Sequence, residues 1–326
     1  MPVGAGAVGV RITVPGNLLL VGEYAVLEKG GLGIALAPAE RVVVTAVRGR
    51  KLAVVGKWPG GGERWEDGSD RGGVISSAAE TCREWLSARG AALPSDVAVH
   101  VDSTALFDAG GRKRGYGSSA AVTVGVVASL LRLSGLSESA VTSVARNLAL
   151  KAHRRAQGGR GSGYDVFTSH FGGVGLFRGG PNPGWRALSL PWLPALYVYQ
   201  GESSVATGSA IGCYEKWKSE HPRGARAFLR ASNRAVRRFA AAGSWAEAAE
   251  TFLHLRSLNI ALGREIGVDA EIRPPAGEDL RYFKALGAGN EIGVCMEPPG
   301  ASERRVAESE ELERLEISER GVEWEW

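Results

Sequence analysis

Apolar positions recur with period two in some stretches of the chain and at three-and-four spacing in others, so strands and helices are both predicted. Strand patterns fall at 9–14, 41–47, 51–55, 96–102, 173–177, 185–190, 196–199 and 292–296. The second and third of these are expected to pair. Helical patterns fall at 74–89, 120–133, 137–157, 164–171, 206–219, 223–242, 245–263 and 277–286. The stretch 58–73, rich in Gly, charge and Trp, reads as an exposed loop. Beyond Pro298 the chain is highly charged, and 310–320 reads as an amphipathic helix or a loose tail. The elements mix without a steady strand-helix-strand rhythm, which points to α+β rather than a doubly wound sheet. The Gly- and Pro-rich stretch 179–184 is the best internal boundary. It divides the chain into 1–180, 181–297 and a charged tail, 298–326.

The apolar run 120–133 is the clearest helix, and the residues before it are the most informative in the chain. They are Arg112, Lys113, Arg114, Gly115, Tyr116, Gly117, Ser118, Ser119, Ala120 and Ala121. A helix start leaves backbone N–H groups unpaired and carries positive partial charge. Glycines let that backbone approach an anion, and serine hydroxyls can bond a phosphate oxygen or ligate Mg²⁺. The segment therefore reads as a polyphosphate cradle, although it lacks the G-x-x-x-x-G-K-[ST] spacing. A serine cap on an ordinary buried helix would use the same residues, so both readings stand at this point.

Two further glycine-rich elements carry candidate chemistry. In Arg160-Gly161-Ser162-Gly163-Tyr164-Asp165-Val166, the aspartate opens a helix. It could accept a substrate proton, pair with a cation, or simply complement the helix dipole. In Lys284-Ala285-Leu286-Gly287-Ala288-Gly289-Asn290-Glu291, a turn could lie against a ligand, though Gly-x-Gly turns are common.

The bulk properties exclude several function classes. A chain of 326 residues has room for two compact domains or one large one. The net charge of +4 is scattered, with no long basic track for nucleic acid. Arg223, Arg226, Arg230, Arg234, Arg237 and Arg238 fall at helical spacing and read as a solvated face, with an anionic partner as the alternative. Cys82, Cys213 and Cys295 are far apart and imply reduced thiols in a cytoplasmic protein with no zinc site. No secretory signal or membrane-length run is read.

The order of the motifs is more specific than any one of them. The run Pro15-Gly16-Asn17-Leu18-Leu19-Leu20-Val21-Gly22-Glu23-Tyr24-Ala25-Val26-Leu27 comes first, then 115–121, then 287–289. Across about residues 9 to 297 this resembles the superfamily of galactokinase, homoserine kinase, mevalonate kinase and phosphomevalonate kinase, the GHMP kinases. The phosphomevalonate kinases look closest. Ala152-His153-Arg154-Arg155-Ala156-Gln157-Gly158, running into 161–166, is similar to their A-H-x-x-A-Q-G…G-S-G-F-D-V. The segment 201–207 resembles a small-and-hydroxyl stretch of theirs, and Arg112, Lys113 and Arg114 suit a doubly charged acceptor.

The resemblance implies a two-domain α+β GHMP kinase fold. The ATP-binding domain, 1–180, would be like ribosomal protein S5 domain 2, and 181–297 would be ferredoxin-like. It implies ATP-dependent phosphorylation of 5-phosphomevalonate to 5-diphosphomevalonate in isoprenoid biosynthesis. Mevalonate kinase, another GHMP small-molecule kinase and a non-catalytic binding member are the alternatives. ATP would bind Gly115, Tyr116, Gly117, Ser118, Ser119 and Ala120, with Mg²⁺ on Ser118 and Ser119. Asp165 and Lys113 would be catalytic. Substrate would meet Asn17, Glu23, Tyr24, His153, Gln157, Ser162, Gly163, Ser203, Ser204, Thr207, Gly287, Ala288 and Gly289. Lys113, Arg114, Arg154, Arg155 and Arg160 are expected to converge on the phosphates. A monomer or homodimer acting on small molecules, without nucleic acid or membrane, is implied. Three positions depart from the pattern. Asn17 stands where lysine is usual, Asn290-Glu291 where Gly-Gly-Asp is usual, and Glu202 where lysine is common.

Overall fold

The computed structural model describes residues 7–69, 73–193, 195–201, 207–275, 280–298 and 311–325. The strands in chain order are β1 (Ala7–Pro15), β2 (Leu18–Val21), β3 (Leu32–Leu36), β4 (Arg41–Arg48), β5 (Ala53–Trp58), β6 (Gly61–Glu66) and β7 (Val97–Asp102). Then come β8 (Val174–Arg178), β9 (Gly184–Ala187), β10 (Leu196–Gln200), β11 (Phe283–Ala285), β12 (Ile292–Met296), β13 (Glu313–Leu315) and β14 (Glu323–Glu325). The helices are α1 (Val74–Ser87), α2 (Ser118–Leu133), α3 (Glu138–Ala156), α4 (Tyr164–Phe171), α5 (Thr207–Glu220), α6 (Pro222–Ala240) and α7 (Trp245–Ile266).

The chain forms two compact units, each assembled from separated stretches: 1–17, 37–173 and 318–326 in the first, 18–36 and 174–317 in the second. The Gly/Pro stretch after β8 turns the chain into β9, which pairs with it inside the second unit.

The first unit is built on a six-stranded sheet in the order β14-β1-β4-β7-β5-β6. Its pairs are antiparallel except β5 with β7. Along β4 the side chains alternate, with Val42, Val44 and Ala46 fully buried. Helix α2 lies against β1 and β4 on one side and against α1, α3 and α4 on the other. That double cover explains why its sequence is apolar nearly all round. Gly125 sits where a Cβ would come within 2.6 Å of Val44, so the helix approaches the sheet closely.

Three expectations are corrected. The strand after residue 50 pairs with β6 and β7 rather than with β4, whose neighbours are β1 and β7. The expected loop at 58–73 contains β6, held by a tight hairpin and by Trp65, which is fully buried. The expected helix or loose tail at 310–320 holds β13, and the chain then reaches β14 on the free edge of β1. Arg41 clamps this last segment. Its guanidinium donates to Ser318 Oγ and to the carbonyls of Arg320 and Gly321, and it pairs with Glu323.

The second unit holds two antiparallel four-stranded sheets, β2-β3-β8-β9 and β11-β12-β10-β13, with helices α5, α6 and α7. Tyr214, Trp217, Leu262 and Ile266 share one apolar cluster with Tyr24. Tyr197, Tyr199, Ile272 and Cys295 belong to another. The helix expected at 277–286 is corrected to β11 for its last part, because Phe283, Lys284 and Ala285 are all buried and pair with β12. Cys82 and Cys295 are buried. Among the described residues no helix is long and apolar enough to cross a membrane.

Candidate active site

The loop before α2 is shaped by glycine. Gly115 (φ 75°) and Gly117 (φ 64°) both take positive φ, which favours glycine strongly. Gly117 is the N-cap, and no side chain caps the helix. Ser118 and Ser119 therefore lie inside the first turn and do not cap it, which removes the reading of an ordinary serine cap. No acid sits in that turn to offset its positive end. Tyr116 is buried, and its carbonyl accepts the backbone N–H of Asn17 at 2.9 Å. Asn17 is itself buried. Its Nδ2 donates to Gly117 O and to Ser169 Oγ, both at 3.0 Å. A Cβ on Gly117 would fall 2.0 Å from Asn17 Oδ1. Asn17 thus supports the loop from beneath, where a cation was the family expectation.

A cleft of about 250 Å³ opens beside this helix start. Ser118, Ser119 and Lys113 line it together with Trp58, Phe107 and Val122. Lys113 is exposed, with its backbone bridged to Phe107. Glu63 also lines the cleft, and burial raises its carboxyl above the ordinary range.

Asp165 stands in the first turn of α4, behind the left-handed N-cap Gly163. Its Oδ1 accepts the N–H of Val166 at 2.9 Å, and its Oδ2 lies 3.4 Å from Nδ1 of His153. His153 is buried on α3, and its Nε2 lies 3.1 Å from Ser119 Oγ. Gln157 Nε2 is 3.4 Å from the same ring nitrogen. Ser162 is buried, and its hydroxyl accepts from Tyr164 N.

The expected convergence of cations is corrected in part. Arg114 donates to Phe107 O, and Arg154 donates to the carbonyls of Gly161 and Ser162. Arg155 pairs with Glu84, and Arg112 with Asp108. These guanidiniums close local loops, where planar donors match carbonyl and carboxylate partners. Lys113 is left facing the cleft.

In the second unit the first and last motifs meet. Lys284 Nζ is buried and donates to Glu23 Oε1, to Leu20 O at 3.1 Å and to Ala285 O at 2.6 Å. Burial raises the Glu23 carboxyl, and Lys284 opposes that rise. Tyr24, the only non-glycine with positive φ among the described residues, donates its hydroxyl to Ala288 O at 2.6 Å. Gly287 turns with φ 72°, and Gly289 is buried beside it. Asn290 keeps an ordinary φ and donates to Asp269 Oδ2 at 3.1 Å, so its bulk strains nothing. Ser203, Ser204 and the side chain of Thr207 lie outside the described residues.

Residues 74–173 match the sequence profile of the family described as the GHMP kinases N terminal domain. The chain has the fold of the GHMP kinases. Over 180 residues it is 34% identical to the phosphomevalonate kinase of Streptomyces sp. (strain CL190), a match covering 49% of this chain and 46% of that one. The chain spans about half the length of the curated relatives it matches. Its fold is similar to the Lin0012 protein from Listeria innocua, with TM-score 0.81, 21% identity, and 97% of this chain and 99% of that one covered. It is also similar to the Streptococcus pneumoniae phosphomevalonate kinase in complex with phosphomevalonate and AMPPNP. There the TM-score is 0.73 at 18% identity, with 94% and 99% covered.

Sequence reasoning missed three features of this GHMP kinase fold. Lys284 was inside a quoted motif, but its partner Glu23 is 261 residues away. Ser169 supports Asn17 with no motif to mark it. Trp58 and Phe107 wall the cleft, and only the side-by-side pairing of β5 and β7 brings their segments together.

Proposed function

We propose that this chain is an ATP-dependent small-molecule kinase that phosphorylates 5-phosphomevalonate. The observation that carries the reading is the uncapped start of α2, with Lys113, Ser118 and Ser119 lining an apolar cleft. Its N–H groups and dipole suit a polyphosphate, and the walls at Trp58, Phe107 and Val122 suit a purine base. The family of the domain and the names of the similar proteins support the choice of acceptor.

The reaction moves the γ-phosphoryl group of ATP to an oxygen of the acceptor phosphate, giving a diphosphate ester and ADP. Both reactants are anions. Two unit charges ~4 Å apart repel by ~4 kcal/mol at an effective dielectric near 20. Lys113 and the helix start offset that repulsion, and positioning accounts for most of the remaining barrier. An acceptor phosphate is largely ionised near neutrality, so Asp165 orients the acceptor or holds a cation rather than serving mainly as a base.

The donor set fits Mg²⁺. Two serine hydroxyls suit an ion that keeps waters and takes phosphate oxygens. Among the described residues no cluster of three His, Cys, Asp or Glu side chains could hold a metal alone. Ser118 and Ser119 would hold the ion, and it would supply charge neutralisation at the phosphates.

One observation favours a second reading. Asn17 is buried under the loop and brings no charge where relatives have lysine, which suits a ligand sensor without turnover. Purified protein with ATP, Mg²⁺ and each mevalonate-pathway intermediate, followed by phosphorus NMR, tests both. The expected result is a diphosphate ester and ADP with 5-phosphomevalonate alone. Turnover of mevalonate instead overturns the acceptor, and binding without ADP favours the sensor.

A further inference from the structure

Among the described residues His153 is the one buried side chain that touches both a hydroxyl of the nucleotide loop and the candidate catalytic carboxylate. Its exposure is 2%, and its ring spans from Ser119 Oγ, 3.1 Å from Nε2, to Asp165 Oδ2, 3.4 Å from Nδ1. Three elements meet there. Ser119 is in the first turn of α2, His153 near the end of α3, and Asp165 in the first turn of α4. The carboxylate cannot swing away freely, because its Oδ1 accepts from Val166 N. The ring is enclosed, and among the described residues Gln157 is its one further polar neighbour.

We propose that His153 is a positioning residue that couples the nucleotide loop to Asp165. This rests on the kinase reading above. A ring proton on Nδ1, facing the carboxylate, leaves Nε2 to accept the Ser119 O–H. The lone pairs of Ser119 then face the loop, as a phosphate-bound cation needs, and Asp165 is fixed in one rotamer. Anything that reorients the Ser119 hydroxyl therefore acts on the Asp165 carboxylate through a rigid ring, without a loop having to move. Ordinary packing by a buried histidine would give neither effect.

The amides of asparagine and glutamine separate the two ends of the ring, since Asn places a polar atom near Nδ1 and Gln near Nε2. H153Q is expected to hold the ATP analogue AMPPNP with Mg²⁺ within about twofold while lowering kcat about tenfold or more. H153N is expected to weaken AMPPNP about fivefold with a smaller loss of kcat. H153A loses both. Independently of turnover, D165N is expected to weaken AMPPNP about threefold in the unmodified chain and to have no effect in the H153A background, read by calorimetry. An equal effect of D165N in both backgrounds overturns the coupling. So does a parallel fall in Tm, kcat and affinity across all three His153 variants. The calorimetry needs no acceptor, so it stands if the acceptor is not phosphomevalonate. No binding of AMPPNP by the unmodified chain overturns the kinase reading, and the coupling falls with it.

Discussion

The loop at 115–119 and the junction of Glu23 with Lys284 are both built from motif residues, yet they use their polar groups in opposite ways. The loop leaves its first-turn N–H groups uncapped and Lys113 turned to a cleft. The junction closes on itself. Each Lys284 donor has a partner, Glu23 is enclosed, and Tyr24 bonds Ala288 O. On the proposed reading, open donors at a solvent-reached helix start mark a place for an anion, and saturated buried ones mark scaffold. The helix α3 sharpens the contrast. It too begins at a serine, but Ser137 is a true N-cap whose Oγ accepts from Ala140 N at 3.3 Å.

The largest expected effect lies in the junction. Lys284→Met leaves Glu23 enclosed without its cation and is expected to cost about 3–5 kcal/mol of stability. Pairing it with Glu23→Leu should recover more than half of that in chemical denaturation. If the double variant is as unstable as the sum of the singles, the pair is not a closed unit. Next comes the loop. Gly117→Ala puts a Cβ against Asn17 at a positive φ and is expected to weaken AMPPNP about a hundredfold by calorimetry. Ser137→Ala, its control, should lower stability by about 1 kcal/mol and leave nucleotide affinity alone. Equal effects of the two glycine and serine changes on nucleotide binding would erase the contrast between open and capped starts.

A third test takes a buried ring nitrogen away from a helix start. His170 is buried on α4, with no hydrogen-bond partner for Nδ1 among the described residues, and burial and Arg146 hold it down at about 4. Between pH 4 and 6.5 the unfolded chain carries a proton that the folded one lacks. Stability should therefore fall as pH drops through that window, by on the order of 2 kcal/mol. His170→Gln should flatten that part of the curve of Tm against pH, and an unchanged slope would place the acid-sensitive group elsewhere.

Much of this was legible in the chain. The helices α1 to α7 were all marked by apolar spacing, because each buries a stripe against a core. The glycine-and-hydroxyl loop was legible because positive φ and close approach demand those residues. The strands β6, β11 and β14 were not, since short segments such as Phe283-Lys284-Ala285 show no period and become strands only beside a partner. The cations near the loop misled for a related reason. A formula of charges does not say which carbonyl or carboxylate each guanidinium will meet.

By itself the sequence determined the mixed α+β character, the order of the three motifs, and the glycine-and-serine loop before α2. Local steric demands and repeating apolar spacing act within a few residues, so they can be read along the chain. Only the tertiary structure decided that Asn17 props the loop, that Lys284 closes on Glu23, and that His153 bridges Ser119 and Asp165. Those contacts join residues far apart in the chain, and distance in space is set by how sheets and helices pack, which no local pattern encodes.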